Sequence, residues 1–125
     1  MAGRKSKSKG YRFEALLVKL FNKAFNTNKI RRTPASGGLG IKGDLCTLED
    51  NFELPGPLSK WCIEAKNQER ISIWKCIEQA RSQAGNRKWL LCFTKNREQI
   101  VCAMEINEFI ELIQNQEKNN ESMGN

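Results

Sequence analysis

The chain contains no histidine, and this absence limits the chemistry that it can carry out. Histidine is the commonest metal ligand in proteins and the side chain that most often transfers protons near neutral pH. Enzyme classes that require it, such as HNH nucleases and tyrosine recombinases, are therefore excluded. Metal binding or acid–base chemistry must rely on carboxylates and lysine, with five cysteines as the remaining candidate ligands.

Other familiar signatures are also missing. The five cysteines form no C-x-x-C pair, so we interpret them as small buried hydrophobic residues in a reducing compartment rather than as zinc ligands. No G-K-[ST] follows the glycines at 37–40, which excludes a Walker loop. No apolar run reaches the roughly 18 residues of a membrane span, and the basic N-terminus lacks the apolar segment of a signal peptide. We therefore expect a soluble intracellular protein with no membrane partner.

Positive charge is concentrated at the start of the chain. Residues 1–42 hold eleven Lys/Arg and one acid, whereas residues 43–125 hold ten Lys/Arg and thirteen acids, within a net charge of +7. This asymmetry indicates a polyanion-binding face, because lysine and arginine near phosphates release counterions. A basic tail without a specific partner is the alternative. The residues expected to follow a nucleic-acid backbone are Arg4, Lys5, Lys7, Lys9, Arg31 and Arg32.

Hydrophobic periodicity predicts a single α/β domain in which helices pack on a sheet. Helices are expected at about 11–25, at 71–84 and after Asn107, a reasonable N-cap. Strands are expected at 29–33, 43–48, 60–66, 88–94 and 99–104. The order is thus α-β-β-β-α-β-β-α. The apolar face of the second helix would consist of Ile73, Trp74, Ile77, Ala80 and Ala84. A domain over 10–115 would lie between a basic flexible tail at 1–9 and a flexible C-terminal tail at 116–125.

An acid-x-lysine pair closes the third predicted strand. Glu64 and Lys66 point to the same face because strand side chains alternate, and Trp61, Ile63 and Ala65 point to the opposite, helix-packed face. A hairpin across the proline-rich turn at 55–57 would bring Asp44 or its neighbours alongside Glu64.

Two carboxylates and the carbonyl of Ala65 are hard oxygen ligands of the kind that suit Mg²⁺ or Mn²⁺. Lys66 would lie beside the attacking water, where it could orient the water or stabilise charge developing on a phosphate. An exposed Glu/Lys pair without a function is the alternative.

Glu14 lies in the middle of a helical stripe formed by Leu17, Val18, Phe21 and Phe25. A carboxylate in that position is costly unless it is paired or bound to a cation. Glu14 is therefore a candidate for the same acidic site. A glutamate favoured by the helix dipole, or one paired with a buried lysine, is the alternative.

Taken together, these motifs resemble the PD-(D/E)-x-K nuclease superfamily, and within it the small Holliday junction resolvases of archaea and their phage and viral relatives. The resemblance covers about residues 8–104. It includes Arg31-Arg32 before a Ser-Gly loop, Gly43-Asp44, the apolar strand ending in E-x-K, and a helix bearing glutamines. The proline of the family name is replaced by Lys42 or Gly43. The resemblance implies a restriction-endonuclease-like core, with a central mixed β-sheet flanked by helices.

The resemblance also implies roles for individual residues. Asp44 and Glu64 would be metal ligands, Lys66 the catalytic lysine, and Glu14 the completion of the acidic cluster. Ser36 would lie near the scissile phosphate. Either Gln79 or Gln83 would support the site.

The function implied is metal-dependent cleavage of four-way DNA junctions by a homodimer, with Trp74, Trp89 or the last helix as candidate dimer surfaces. The host compartment would be the cytoplasm of a prokaryote or of an infected cell. Three alternatives stay open: a restriction-like or nicking endonuclease, a catalytically silent DNA-binding protein, and a basic RNA-binding domain.

Overall fold

The computed structural model describes residues 2–34, 41–49 and 52–123. Its elements follow the predicted order, with a 3₁₀ turn at Gly56–Lys60 before the third strand. The helices are α1 (Ala2–Ala24), α2 (Ile73–Ala84) and α3 (Ile106–Met123). The strands are β1 (Arg31–Arg32), β2 (Leu45–Cys46), β3 (Trp61–Asn67), β4 (Lys88–Thr94) and β5 (Val101–Ala103). The predicted α/β class is thus confirmed, and no helix in the described ranges is long and apolar enough to cross a membrane.

The principal sheet is mixed and has the strand order β3-β4-β5. β3 and β4 run parallel in the register Glu64 to Leu91, and β5 pairs antiparallel with β4. A parallel pair requires a crossover connection, which α2 provides between β3 and β4. β1 and β2 form a separate antiparallel pair beside β3.

Hydrophobic packing covers both faces of β3 and β4. On one face, Phe13 and Leu17 of α1 pack with Trp61 and Ile63 of β3. On the other face, Ile77 and other α2 side chains pack against Leu91 of β4. Strands buried on both faces are typical of parallel sheets, which explains the continuous apolar run before Glu64.

The cysteines follow the prediction with one exception. Cys46, Cys62, Cys76 and Cys92 are buried, and all five cysteines are free thiols. Cys102 is exposed on the edge strand β5. Its apolar sequence neighbours made it look buried, but on this edge strand both Val101 and Cys102 are exposed.

Both terminal helices are longer than predicted. α1 begins at Ala2 rather than near Tyr11, and α3 continues to Met123. Lysine, arginine, glutamate and glutamine favour helix without forming an apolar stripe, so periodicity could not detect these extensions. The division into two flexible tails and one domain stays a prediction.

Three local expectations were wrong. Trp74 is 73% exposed, because it lies about 100° around α2 from Ile73, which packs on the core. Asn107 lies inside α3, and the N-cap position is held by Glu105, whose carboxylate accepts the Asn107 backbone N–H at 3.0 Å. Phe25 follows the end of α1 and is exposed, stacking on Phe21.

α3 is attached to the sheet by a cation on β4. Lys88 Nζ lies 2.9 Å from Glu108 Oε2 and 3.2 Å from Glu111 Oε2. The same ammonium group lies 5.6 Å from the ring centre of Trp61. The apolar side chains of α3, including Phe109 and Ile113, remain about half exposed.

Candidate active site

Gly43 allows the Asp44 backbone to approach β3 closely. Its φ is +88°, and a Cβ built there would lie 2.9 Å from Cys62 Sγ and 3.3 Å from the carbonyl oxygen of Ile63. Only glycine fits this combination of backbone angle and contact without strain. The glycine before the acid is therefore a structural requirement of the site, in addition to matching the family motif.

Asp44 is fixed to β3 at two points that bracket Glu64. Its backbone N–H donates to the Ile63 carbonyl at 2.8 Å, and its Oδ2 accepts the Ala65 N–H at 2.7 Å. Thr33 holds the other side, with its N–H donating to the Asp44 carbonyl at 2.9 Å. Asp44 thus lies alongside Glu64 as predicted. Among the described residues, however, β2 and β3 form no hairpin ladder, and these two contacts take its place.

The predicted acids and the lysine line one depression of the surface. It has a volume of about 360 Å³ and opens between α1, β3 and α2. The lining side chains that the sequence singled out are Glu14, Asp44, Glu64, Lys66, Gln79, Gln83 and Arg32. Both candidate glutamines line it, so the geometry leaves the choice between them open. We call this depression the catalytic pocket.

Glu64 is 7% exposed, and its carboxyl group has the most strongly shifted pKa among the acids of the pocket. Burial, followed by the negative charge of the adjacent Asp44, raises the pKa of Glu64 to about 8. Lys66 acts in the opposite direction. A buried carboxyl facing a second carboxylate is poised to accept a cation, since positive charge between them would remove the repulsion.

Glu14 belongs to the pocket but has a partner of its own. Its Oε1 accepts a hydrogen bond from Arg32 Nε at 3.2 Å. Burial and then Asp44 raise the pKa of Glu14, whereas Arg32 lowers it. Glu14 is half-buried beside the apolar stripe of α1, in which Phe13 and Leu17 are buried and Val18 and Phe21 pack against the same core.

Arg32 is held on two sides. Its guanidinium carbon lies 4.3 Å from the ring centre of Tyr11, while its Nε is occupied by Glu14. Sequence reasoning did not assign Tyr11 to the site. The signal was present, since Tyr11 lies one helical turn before Glu14 on the same side of α1.

The residues present fit a divalent cation in part. Asp44 and Glu64 supply two adjacent carboxylates, and the Ala65 carbonyl faces the same edge as its N–H, which bonds Asp44. Within residues 2–34, 41–49 and 52–123, no three acidic or cysteine side chains form a ready metal cluster, and Glu14 is paired with Arg32. Two carboxylates and a carbonyl suit a cation that keeps several waters, as Mg²⁺ does.

The remaining predicted residues lie elsewhere. Lys9 is paired with Glu69 at 3.5 Å, and Arg31 is exposed on β1 outside the catalytic pocket. Arg4, Lys5 and Lys7 lie in α1. Ser36 falls outside the described residues.

The fold and the carboxylate–lysine pocket define the class of PD-(D/E)-x-K nucleases. The chain belongs to the family described as "Phage putative PDDEXK endonuclease", whose model matches residues 5–124. Searches of curated proteins and of solved structures found no significant match.

Proposed function

We propose that this protein is a divalent-metal-dependent endodeoxyribonuclease that hydrolyses phosphodiesters in branched DNA. The observation that carries the proposal is the meeting of Asp44, Glu64 and Lys66 in one pocket, with Asp44 held by backbone contacts to the residues on either side of Glu64. Membership of a phage endonuclease family supports DNA as the substrate. Such an enzyme would meet its DNA in the cytoplasm of an infected cell.

Asp44, Glu64 and the Ala65 carbonyl would hold Mg²⁺ or Mn²⁺. The cation, when bound, would supply Lewis-acid stabilisation of charge on the phosphate oxygens. Glu14 would complete the acidic cluster through a bridging water, since its direct partner is Arg32. The backbone clamps on Asp44 would keep the two ligating carboxylates at a fixed separation.

Lys66 would act on the water and the phosphate. It lies on the same strand face as Glu64 and lines the pocket beside both acids. Its ammonium group can orient the attacking water and stabilise the negative charge that develops on the phosphate. Gln79 or Gln83 would support the site by hydrogen bonds from α2, and Ser36 would lie near the scissile phosphate.

For the substrate, we propose the four-way junction, cut by a homodimer. One small catalytic domain covers little more than one face of a duplex, whereas two copies related by a twofold axis would match two arms of a junction. Arg4, Lys5, Lys7, Lys9, Arg31 and Arg32 would bind backbone phosphates rather than base edges. A restriction-like or nicking activity on linear duplex is equally compatible with the pocket.

One experiment separates these substrates. Labelled four-way junction and a linear duplex of the same sequence are incubated with the protein in Mg²⁺, Mn²⁺ or EDTA. The wild type is compared with Glu64→Ala and with Glu117→Ala, which removes an exposed acid of α3. We expect metal-dependent cutting of the junction by the wild type and Glu117→Ala only. Equal cutting of linear duplex would replace the junction proposal by the restriction-like one. If none of the three proteins cuts either DNA, the nuclease proposal is rejected.

The dimer has its own test. Light scattering coupled to size exclusion should show two protomers per junction at micromolar concentration. A monomer on the junction would contradict the proposed twofold arrangement.

A further inference from the structure

Two further depressions adjoin the catalytic pocket at Lys66. One has a volume of about 650 Å³ and lies along the start of α2, and the other, of about 510 Å³, lies between α1 and the end of β3. Lys66 lines all three depressions, and Gln68 and Arg70 line both of the additional ones. The three depressions therefore meet at Lys66.

The side chains of the two additional depressions favour an anion. Beyond Lys66 come Gln68, Arg70 and, on the first turn of α2, Lys75, and we call these three residues the basic arm. Arg70 and Lys75 are exposed, and neither has a carboxylate within 4.0 Å among the described residues.

The acids nearby do not cancel this charge completely. Glu69 is occupied by Lys9 at 3.5 Å and by the Asn96 backbone N–H at 2.9 Å. Glu78, one helical turn after Lys75 on α2, is exposed and also lines the larger depression, and no salt bridge joins it to either cation of the arm among the described residues. Two unpaired cations and a neutral amide therefore line the route that leads away from Lys66.

The catalytic pocket contains a second cation besides Lys66. Arg32 is held there by Tyr11 and Glu14, with its two terminal nitrogens not used by the Glu14 contact. Lys66 consequently shares one depression with a fixed guanidinium and the adjoining depressions with the basic arm. A polyanionic strand crossing the pocket would meet positive charge before and after the reacting phosphate.

We propose that the basic arm binds the phosphates of the cleaved strand on one side of the scissile bond. The proposal rests on the proposed nuclease function and adds to it a direction for the strand, from Arg32 past Lys66 to Arg70 and Lys75. These contacts recognise the phosphate backbone and carry no base specificity. The alternative is that Arg70 and Lys75 are solvated charges without a partner, and the two possibilities predict different binding data.

The test compares charge-matched variants on and off the arm. Arg70→Gln, Lys75→Gln and their combination are measured against Arg81→Gln, which removes an exposed cation from α2 at a position that lines none of the three depressions. Binding to a labelled duplex is followed by fluorescence anisotropy in EDTA across a salt series, so cleavage does not interfere. Circular dichroism establishes that each variant is folded.

We expect the double variant to weaken binding on the order of tenfold at low salt and to lower the slope of log K against log salt by about one for each charge removed. Arg81→Gln should change affinity less than about twofold. A loss in Arg81→Gln equal to that of the arm variants would overturn the proposal, because the effect would then be one of net charge.

The outcomes also separate this proposal from the nuclease. Arm-dependent binding in a protein that cuts no DNA would retain the basic arm and reject the enzyme. If the protein cuts DNA but its DNA affinity does not depend on Arg70 and Lys75, the basic-arm proposal is rejected and the nuclease proposal is retained.

Discussion

β3 and α3 place similar residues in opposite environments. Ile63 on β3 is 0% exposed, whereas Ile113 on α3 is 48% exposed. β3 is packed on both faces and carries Glu64 and Lys66, while α3 is attached through the Lys88 ion pairs. The difference indicates that hydrophobic packing is concentrated around β3, where the buried Glu64 opposes folding, and that the last helix lies outside the core.

The largest effect should come from substituting the candidate catalytic side chains of β3 and the aspartate beside that strand. Asp44→Ala, Glu64→Ala and Lys66→Ala should each reduce cleavage on the order of a thousandfold. Junction binding should be retained, because removing a carboxylate lowers repulsion of phosphate. Single-turnover cleavage and anisotropy measure the two properties. Glu14→Ala should be milder, since its direct partner is Arg32. Parallel loss of binding and cutting in folded variants would indicate a structural role.

The next effect concerns the glycine that lets Asp44 reach β3. Gly43→Ala should lower the free energy of unfolding by about 2–4 kcal/mol, since it combines positive φ with a clash. Cleavage should fall with it as Asp44 shifts. Gly85→Ala is the matched control, because Gly85 also has positive φ but a Cβ there would meet nothing within 4 Å. It should cost about 1 kcal/mol and leave cleavage within twofold. Equal losses would show that the contact with Cys62 is unimportant.

A matched pair of isoleucines tests the comparison itself. Ile63→Ala should destabilise the protein by about 2–5 kcal/mol through the cavity that it leaves. Ile113→Ala should change stability by no more than about 0.5 kcal/mol, as at an exposed site. Chemical denaturation at several protein concentrations measures both. A large effect at Ile113 that grows with concentration would assign α3 to the dimer surface.

The smallest effect is the pH dependence that Glu64 imposes on the metal-free protein. Its pKa is raised from about 4.5 to about 8, so the folded state binds more protons than the unfolded state between these values. Stability should therefore fall as pH rises through this window. Glu64→Gln should flatten the dependence. Thermal unfolding in EDTA from pH 5 to 8 checks this, with Glu117→Gln as a control. An unchanged slope in Glu64→Gln would contradict it.

Sequence reasoning succeeded where the signal was local. The buried strand ending at Lys66 and the shared face of Glu64 and Lys66 follow from alternation along one strand. The element order also followed from local periodicity. Asp44 was placed beside Glu64 by a proposed hairpin and by resemblance, and the contact itself depends on a glycine whose positive φ no pattern reveals.

The failures have tertiary causes. Trp74 was assigned to the core because it is apolar, yet its angle around α2 directs it to solvent. Helical spacing could have placed Tyr11 beside Glu14, but the contact of both with Arg32 joins two elements, so no spacing rule could indicate it. The roles of the site residues stay predictions that the variants above will test.

The Lys88 ion pairs have a practical consequence for any ionic-strength titration of this protein. Both acids are partly exposed, so added electrolyte screens their attraction to Lys88 over the same range in which it weakens contacts with phosphates. Raising salt can therefore loosen α3 and release DNA together. Repeating the titration with Lys88→Gln separates the two processes. This variant has already lost the ion pairs to Glu108 and Glu111, while its catalytic pocket and basic arm are unaltered.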